Sequence, residues 1–272
     1  MNMYLHNIGE MDVNTPIKST DALISDDRVR VNYVLANPPF GKKSSMTVTN
    51  KESKAEKLDM NYNRQDFWET NSNKQLNFLQ HIKTILKING EAAVVLPDNL
   101  LFEVGSGEEV RKQLIKTTEL HTILRLPIGI FYAPCVKANV LFFSNKPASK
   151  EAWTKDIWFY DYRTKIHHTP KKRTMTMQHL EDFINLYNSE NLAKRIETWS
   201  EGNKEGRWRK YSYEDIIARD KTSLDIFWIK DKSLTDLDNL PDPDILANEI
   251  IENIESGLSS FKEITESINL EK

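Results

Sequence analysis

The stretch Val31-Asn32-Tyr33-Val34-Leu35-Ala36-Asn37-Pro38-Pro39-Phe40 decides the architecture. Its first six residues are apolar almost throughout, the pattern of a strand buried on both faces. Two consecutive prolines then remove backbone donors, so the strand stops and hands over to a rigid loop. That loop carries an amide and an aromatic ring on a backbone with few degrees of freedom. The Asn side-chain carbonyl and a backbone carbonyl can each accept a hydrogen bond from an exocyclic amino group, and a Phe ring can stack on a base. Asn37, Pro38, Pro39 and Phe40 thus supply what is needed to hold an amino-bearing heterocycle drawn out of a nucleic-acid stack. A Pro-Pro turn with an Asx-type cap and a core Phe is the alternative. The apolar strand before the loop, and Gly41-Lys42 after it, favour the site.

Working outward, residues 44–72 are polar, rich in Asn, Lys, Glu and Ser, and read as a long loop; a loop of that length is functional or disordered. Leu76, Leu79, Ile82, Ile85 and Leu86 then share one helical face, predicting a helix over 74–88 closed by Asn89-Gly90 as a C-cap. A second buried strand covers 91–96 and ends at Pro97. Gly105-Ser106-Gly107 reads as a turn before a helix over 108–116. A strand over 119–126 ends at Pro127, and the apolar run 138–143 makes an antiparallel pair with it. Alternating strand and helix indicates an α/β chain with a doubly wound, mostly parallel sheet and an antiparallel edge pair. Ligands of such sheets bind beyond the carboxyl ends of the strands. Asn37, Pro97-Asp98-Asn99 and Pro127 all fall on that rim.

The polar segment 145–155, followed by the strand-like Ile157-Trp158-Phe159-Tyr160, marks a boundary. Residues 1–148 form the expected catalytic portion, 149–240 a C-terminal extension with short helices at 178–188 and 213–219, and 241–272 a helical end. After Pro241-Asp242-Pro243, Ala247, Ile250, Ile254, Gly257, Phe261, Ile264 and Ile268 alternate spacings of three and four, the pattern of a coiled-coil or bundle seam. Asp242 or Asp244 can cap it. Such a helix either docks a partner or folds back on its own domain.

The net charge of −3 argues against indiscriminate nucleic-acid binding. Basic residues are nonetheless concentrated at Lys42-Lys43, at His167-His168-Thr169-Pro170-Lys171-Lys172-Arg173 and at Arg207-Trp208-Arg209-Lys210. A shared DNA surface and an ordinary solvated exterior both account for them. Cys135 is the single cysteine, which excludes an internal disulfide and a cysteine zinc site; its apolar setting suits a small buried hydrophobe. No run approaches the ~18 apolar residues of a membrane span, and Met1-Asn2-Met3-Tyr4-Leu5-His6 lacks a signal-type pattern. A cytoplasmic location fits. The adjacent His167 and His168 point apart with no evident third ligand, so a surface position is expected and no metal site.

Several motifs keep a common order: Asn37-Pro38-Pro39-Phe40, Asn77-Phe78-Leu79-Gln80-His81, Leu86-Lys87-Ile88-Asn89-Gly90, Ala92 to Phe102 through Pro97-Asp98-Asn99, Val110-Arg111-Lys112-Gln113-Leu114, Leu126-Pro127, Arg207-Trp208-Arg209 and Ser223-Leu224-Asp225-Ile226. In that order the chain resembles the modification (M) subunit of type I restriction–modification systems, N6-adenine DNA methyltransferases, along nearly its whole length. The resemblance implies a methyl transfer from S-adenosylmethionine to adenine N6 in duplex DNA. It gives Asn37 and Pro38 the polarisation of the amine, with Phe40 stacking the base and Pro39 stiffening the loop. Phe131 lies where related enzymes often place a second aromatic near the base, although a core Phe is an equal reading; Lys42 is the substrate-side cation. Asp21, in Asp21-Ala22-Leu23, matches the family's donor-facing carboxylate, and also suits a turn.

The family's Gly-x-Gly donor loop after a first strand has no counterpart here. The resemblance therefore implies a C-terminal portion of an M subunit with an incomplete S-adenosylmethionine site, inactive alone. It further implies a DNA-specificity subunit docked through residues 242–268, with a restriction subunit as a further companion. Two other readings stay open: an inactive assembly module for the specificity subunit, and an amino-group methyltransferase acting on RNA or protein.

Overall fold

The computed structural model describes His6, residues 17–41, 45–49, 55–59, 62–131, 136–166, 168–169 and 173–229, and seven helical positions between 247 and 261. Among the described residues there are eight strands: β1 (Val31–Ala36), β2 (Ser45–Thr49), β3 (Ala55–Asp59), β4 (Leu86–Pro97), β5 (Thr118–Arg125), β6 (Ala138–Asn145), β7 (Asp156–Asp161) and β8 (Trp208–Ser212). Fully described α-helices are α1 (Lys74–Ile85), α2 (Ser106–Thr117), α3 (Glu181–Tyr187) and α4 (Tyr213–Ile217). One six-stranded open sheet runs β1-β4-β6-β5-β7-β8, and β2 and β3 form a separate antiparallel hairpin.

β1 pairs with β4, and β5 with β7, in parallel; β6 is antiparallel to both β4 and β5, and β8 to β7. The pair read from residues 119–126 and 138–143 is antiparallel as expected. It lies inside the sheet, because β7 and β8 continue the sheet past β5, and with β4–β6, β6–β5 and β7–β8 antiparallel the sheet is mixed where a mostly parallel one was expected. The carboxyl ends of β1, β4, β5 and β7 consequently share one rim.

α1 starts where Asn73 accepts hydrogen bonds from the backbone N–H of Gln75 at 3.0 Å and Leu76 at 3.5 Å. Leu76, Leu79 and Ile82 face the sheet, and with Val110, Leu114 and Ile115 of α2 they bury Val94, Leu96, Leu120 and Ile123 on one face. At ~25 cal/mol per Å² of apolar surface, each fully buried Leu or Ile contributes roughly 1.5–3 kcal/mol. The opposite face carries Trp158, Tyr160, Trp208 and Phe183, with Phe142 against Phe183 and Tyr187 at ring separations of 5.9 and 5.3 Å.

Four local expectations need correction. β1 is covered on one face only, because Tyr33 and Leu35 are exposed while Val34 and Ala36 pack on the core. Asn89-Gly90 does not cap α1: the helix ends at Ile85, and Asn89 sits inside β4 with φ 62°. Gly90 is required there by close backbone approach, since an added Cβ would lie 2.9 Å from the Asn32 carbonyl oxygen. The 44–72 stretch holds the β2–β3 hairpin and an ordered segment pinned to α1, where Gln80 binds both the N–H (2.9 Å) and the carbonyl (3.1 Å) of Glu69. His168 is buried, not superficial, with Nε2 2.8 Å from the Tyr162 hydroxyl and Nδ1 2.9 Å from the Arg173 carbonyl.

Candidate active site

Register explains the place of the Pro-Pro loop. Ala36 is opposite Val94, so Asn37 leaves the sheet beside the last residues of β4, just before Asp98. Asn37 is exposed, Pro38 buried, Pro39 exposed and Phe40 half-buried. The buried proline anchors a loop whose amide faces solvent. Phe40 meets Phe131 edge-to-face, with centroids 5.2 Å apart and planes at 87°, a geometry aromatic rings favour. Both rings pack with Ile130 and Val136 at the margin of the second core. Phe131 is carried by the loop after β5, where Gly129 at φ +82° passes so close to the His168 carbonyl that a Cβ would overlap it. Two aromatics from the ends of different strands thus flank the Asn37 loop. Lys42 lies outside the described residues, as do Lys43 and Cys135.

Asp98 begins the 3-10 turn after β4 and is fixed by charge. Its Oδ1 accepts from Arg125 Nη2 at 2.8 Å and from Asn139 Nδ2 at 2.8 Å. Arg125 is fully buried, donating also to Asp225 (2.6 Å), to the Asn139 side-chain oxygen (3.1 Å) and to the Ile226 carbonyl (2.8 Å). Burial works against charging Asp98, but the Arg125 guanidinium and these hydrogen bonds outweigh it and hold the carboxyl below its ordinary range. The Arg125 and Arg163 guanidinia lie 5.0 and 4.2 Å from the exposed Phe227 ring. The rim under the loop is therefore locked to residues 225–227, about a hundred positions away. Arg111 makes a parallel tie, donating to the carbonyls of Leu100, Glu103, Lys221 and Thr222. Asn99 Nδ2 is buried on this rim with no hydrogen-bond partner among the described residues.

Asp21 stands apart. Its Oδ1 accepts from the Leu23 N–H at 2.9 Å and its Oδ2 from the Tyr62 hydroxyl at 3.0 Å, next to the small cluster of Leu23, Tyr62 and Phe67. Both carboxylate oxygens are engaged in building this turn, and no glycine-rich turn follows a strand ahead of β1 among the described residues.

The basic run near residue 207 turns partly inward. Arg207 donates to the Asp161 (2.6 Å) and Thr164 (2.8 Å) carbonyls, and Arg209 stacks 3.5 Å from the Trp199 ring centroid. No cluster of His, Cys, Asp and Glu suited to a metal occurs among the described residues, and no helix there is long and apolar enough to cross a membrane. Sequence reasoning missed Arg125 and Asn139, and gave Asp225 only as part of the Ser223-Leu224-Asp225-Ile226 motif with no partner indicated.

A family model described as N-6 DNA Methylase matches residues 1–226. The EcoKI methylase subunit of Escherichia coli K12, a type I restriction enzyme component, is 39% identical over 289 residues, covering 96% of this chain and 52% of that protein. The EcoEI methylase subunit of Escherichia coli is 32% identical over 235 residues, covering 83% of this chain and 42% of that protein. The crystal structure of the EcoKI M protein superposes with a TM-score of 0.69 at 36% identity, covering 98% of this chain and 56% of that one. The chain spans about half the length of the relatives it matches.

Proposed function

The chain belongs to the N-6 DNA methylase family, and from that premise we propose that it carries the acceptor half of a type I modification subunit, the part that grips adenine N6 in duplex DNA. The observation that carries this reading is the exposed Asn37 amide on a proline-anchored loop, flanked by the Phe40–Phe131 aromatic pair. Adenine N6 is a poor nucleophile because its lone pair is delocalised into the ring. The Asn37 side-chain oxygen and the Pro38 carbonyl accept its two hydrogens, draw the nitrogen toward tetrahedral geometry and localise the lone pair. Phe40 stacks the extruded base and offsets the few kcal/mol spent on flipping it, and Phe131 supports Phe40 from its edge. Lys42 contributes a cation to the DNA side.

Family membership implies S-adenosylmethionine as the methyl donor. Asp21 is the donor-side carboxylate of this chain: its oxygens accept from the Leu23 N–H and the Tyr62 hydroxyl and retain acceptor capacity, and the other donor contacts fall to sequence outside this chain. The expected location is the cytoplasm, where the DNA substrate lies. Residues 1–148 are the catalytic portion, 149–240 the extension and 241–272 the partner-binding helix. Ile250 and Ile254, 54% and 64% exposed on a helix, support docking of a DNA-specificity subunit through 242–268, with a restriction subunit beyond it. The same exposure favours the second reading, an assembly module without activity of its own.

The test is the rate of methyl transfer to duplex DNA by the assembled methylase containing this chain. Asn37→Ala is expected to lower kcat by about 10²–10³, the usual loss when one positioned polar group aimed at a reacting centre is removed, with KM for DNA little changed. An Asn37→Ala enzyme at full rate refutes the assignment.

A further inference from the structure

Phe227 follows directly on the Arg125 lock and is 64% exposed. Apolar side chains scattered singly over a surface are ordinary, but this one is mounted. Ile226 before it is buried, and its carbonyl accepts from Arg125 at 2.8 Å and from Arg163 at 3.3 Å. Trp228 after it donates its Nε1–H to the Gly206 carbonyl at 2.8 Å. The ring itself lies 4.2 Å from the Arg163 guanidinium and 5.0 Å from that of Arg125, contacts that hold an aromatic ring in place. Both guanidinia are engaged by protein acceptors, Arg163 by Asp161 and Ile226 and Arg125 by Asp98 and Asp225. Three carboxylates thus more than balance the two arginines. The surface here offers a fixed aromatic ring rather than a cation for a phosphate.

That ring stands on the rim that carries the acceptor loop. Asn37 follows β1, Arg125 ends β5 and Asp161 ends β7, strands that all run the same way. β1 and β5 are three places apart in the sheet, roughly 14 Å at ~4.8 Å per strand. Phe227 is therefore too far from Asn37 to touch an adenine held there, a place already flanked by Phe40 and Phe131. A base turned ~180° about its backbone leaves the stack by a comparable distance, and behind it remain a gap and an unpaired thymine. We propose that Phe227 enters that gap and stacks on the thymine left opposite the target adenine. The identity of the nucleic acid rests on the adenine-methylation reading; the mounting of the ring does not. Inserted apolar wedges hold a distorted duplex open, and stacking on an aromatic ring is tolerant of sequence because every base has a π-face.

The test uses the assembled methylase bound to a duplex in which 5-iodouracil replaces the thymine opposite the target adenine. This isostere cross-links on irradiation to an aromatic ring stacked on it. Cross-linking to Phe227, located by mass spectrometry, is expected. Phe227→Ala should abolish the cross-link and weaken DNA binding about 5–150-fold, the range for removing a base-stacking aromatic; Phe227→Trp should restore most of the affinity. Light scattering should find the assembly intact in both variants, because the ring is exposed. A cross-link elsewhere or none, binding unchanged by Phe227→Ala, or an assembly that falls apart with Phe227→Ala overturns the inference, the last by making Phe227 a subunit contact. None of these readouts needs methyl transfer. A Phe227 cross-link in an assembly whose transfer is indifferent to Asn37→Ala keeps the stacking and removes the catalytic reading. Transfer that depends on Asn37, without the cross-link, does the reverse.

Discussion

Replacing Arg125 by Leu tests the rim that carries the acceptor loop. The guanidinium is wholly buried and bonded to two carboxylates, an amide and a carbonyl. Leucine fills part of the volume but leaves Asp98, itself largely covered, without its cation. Breaking a buried pair from one side costs about 3–5 kcal/mol. Asn139 still donates to Asp98 and Asp225 is about one-fifth exposed, so the lower end, about 3 kcal/mol at pH 7, is expected from urea unfolding. The pH dependence has a definite sign. In the parent chain Asp98 titrates below its ordinary value, so its contribution is present above about pH 4 and is lost as pH falls below that. In Arg125→Leu the carboxyl is buried without its cation and titrates above its ordinary value, so protonation relieves the penalty. The gap between the two proteins should narrow between pH 7 and 4, and Asp98→Asn added to Arg125→Leu should recover much of the loss. A cost below about 1 kcal/mol, or a gap that does not change with pH, refutes the ion-pair account of the rim.

Further outcomes follow from other sites. His121 is buried beside Thr122 and Tyr187, and burial, with the Arg195 charge, lowers its pKa to about 4. The unfolded chain takes up that proton near pH 6.5, so folding loses up to about 3 kcal/mol between pH 6.5 and 4, and His121→Gln should flatten that slope in unfolding titrations. Gly90→Ala should cost about 1–3 kcal/mol in urea unfolding, because its methyl meets the carbonyl oxygens of Asn32, Lys87 and Val31 at 2.9–3.1 Å. Calorimetric titration of the isolated chain with S-adenosylmethionine should give no binding heat; micromolar binding would place a donor pocket within it.

The parts of this protein that sequence makes legible are those encoded locally. The apolar run before Asn37, the spacing of Leu76, Leu79 and Ile82, and the prolines at 97 and 127 each carry their own period or stop signal. They are enough to put Asn37, Asp98 and Pro127 on one rim, whereas Phe131 is pointed to by the family resemblance alone. The Arg125–Asp98–Asp225 lock joins positions far apart in the chain, and an arginine in an apolar run gives no sign of its partner. The hairpin of β2 and β3 reads as loop from sequence because SMTVT and AEKLD are short and largely polar. Asn89-Gly90 looked like a helix end because a left-handed Asn serves equally at a helix terminus and at an irregularity in a strand. His168 belongs to a basic run yet is drawn inward by Tyr162, a tertiary contact without local pattern.

The central claim is that the Asn37–Phe40 loop presents adenine N6 for methylation. The most direct measurement is mass-spectrometric identification of the labelled product after the assembled methylase acts, in parallel, on duplex DNA, RNA and protein. N6-methyladenine in duplex DNA, lost with Asn37→Ala and reduced with Phe40→Ala, is the expected result. Label in RNA or protein, on another base, or undiminished by Asn37→Ala would contradict it.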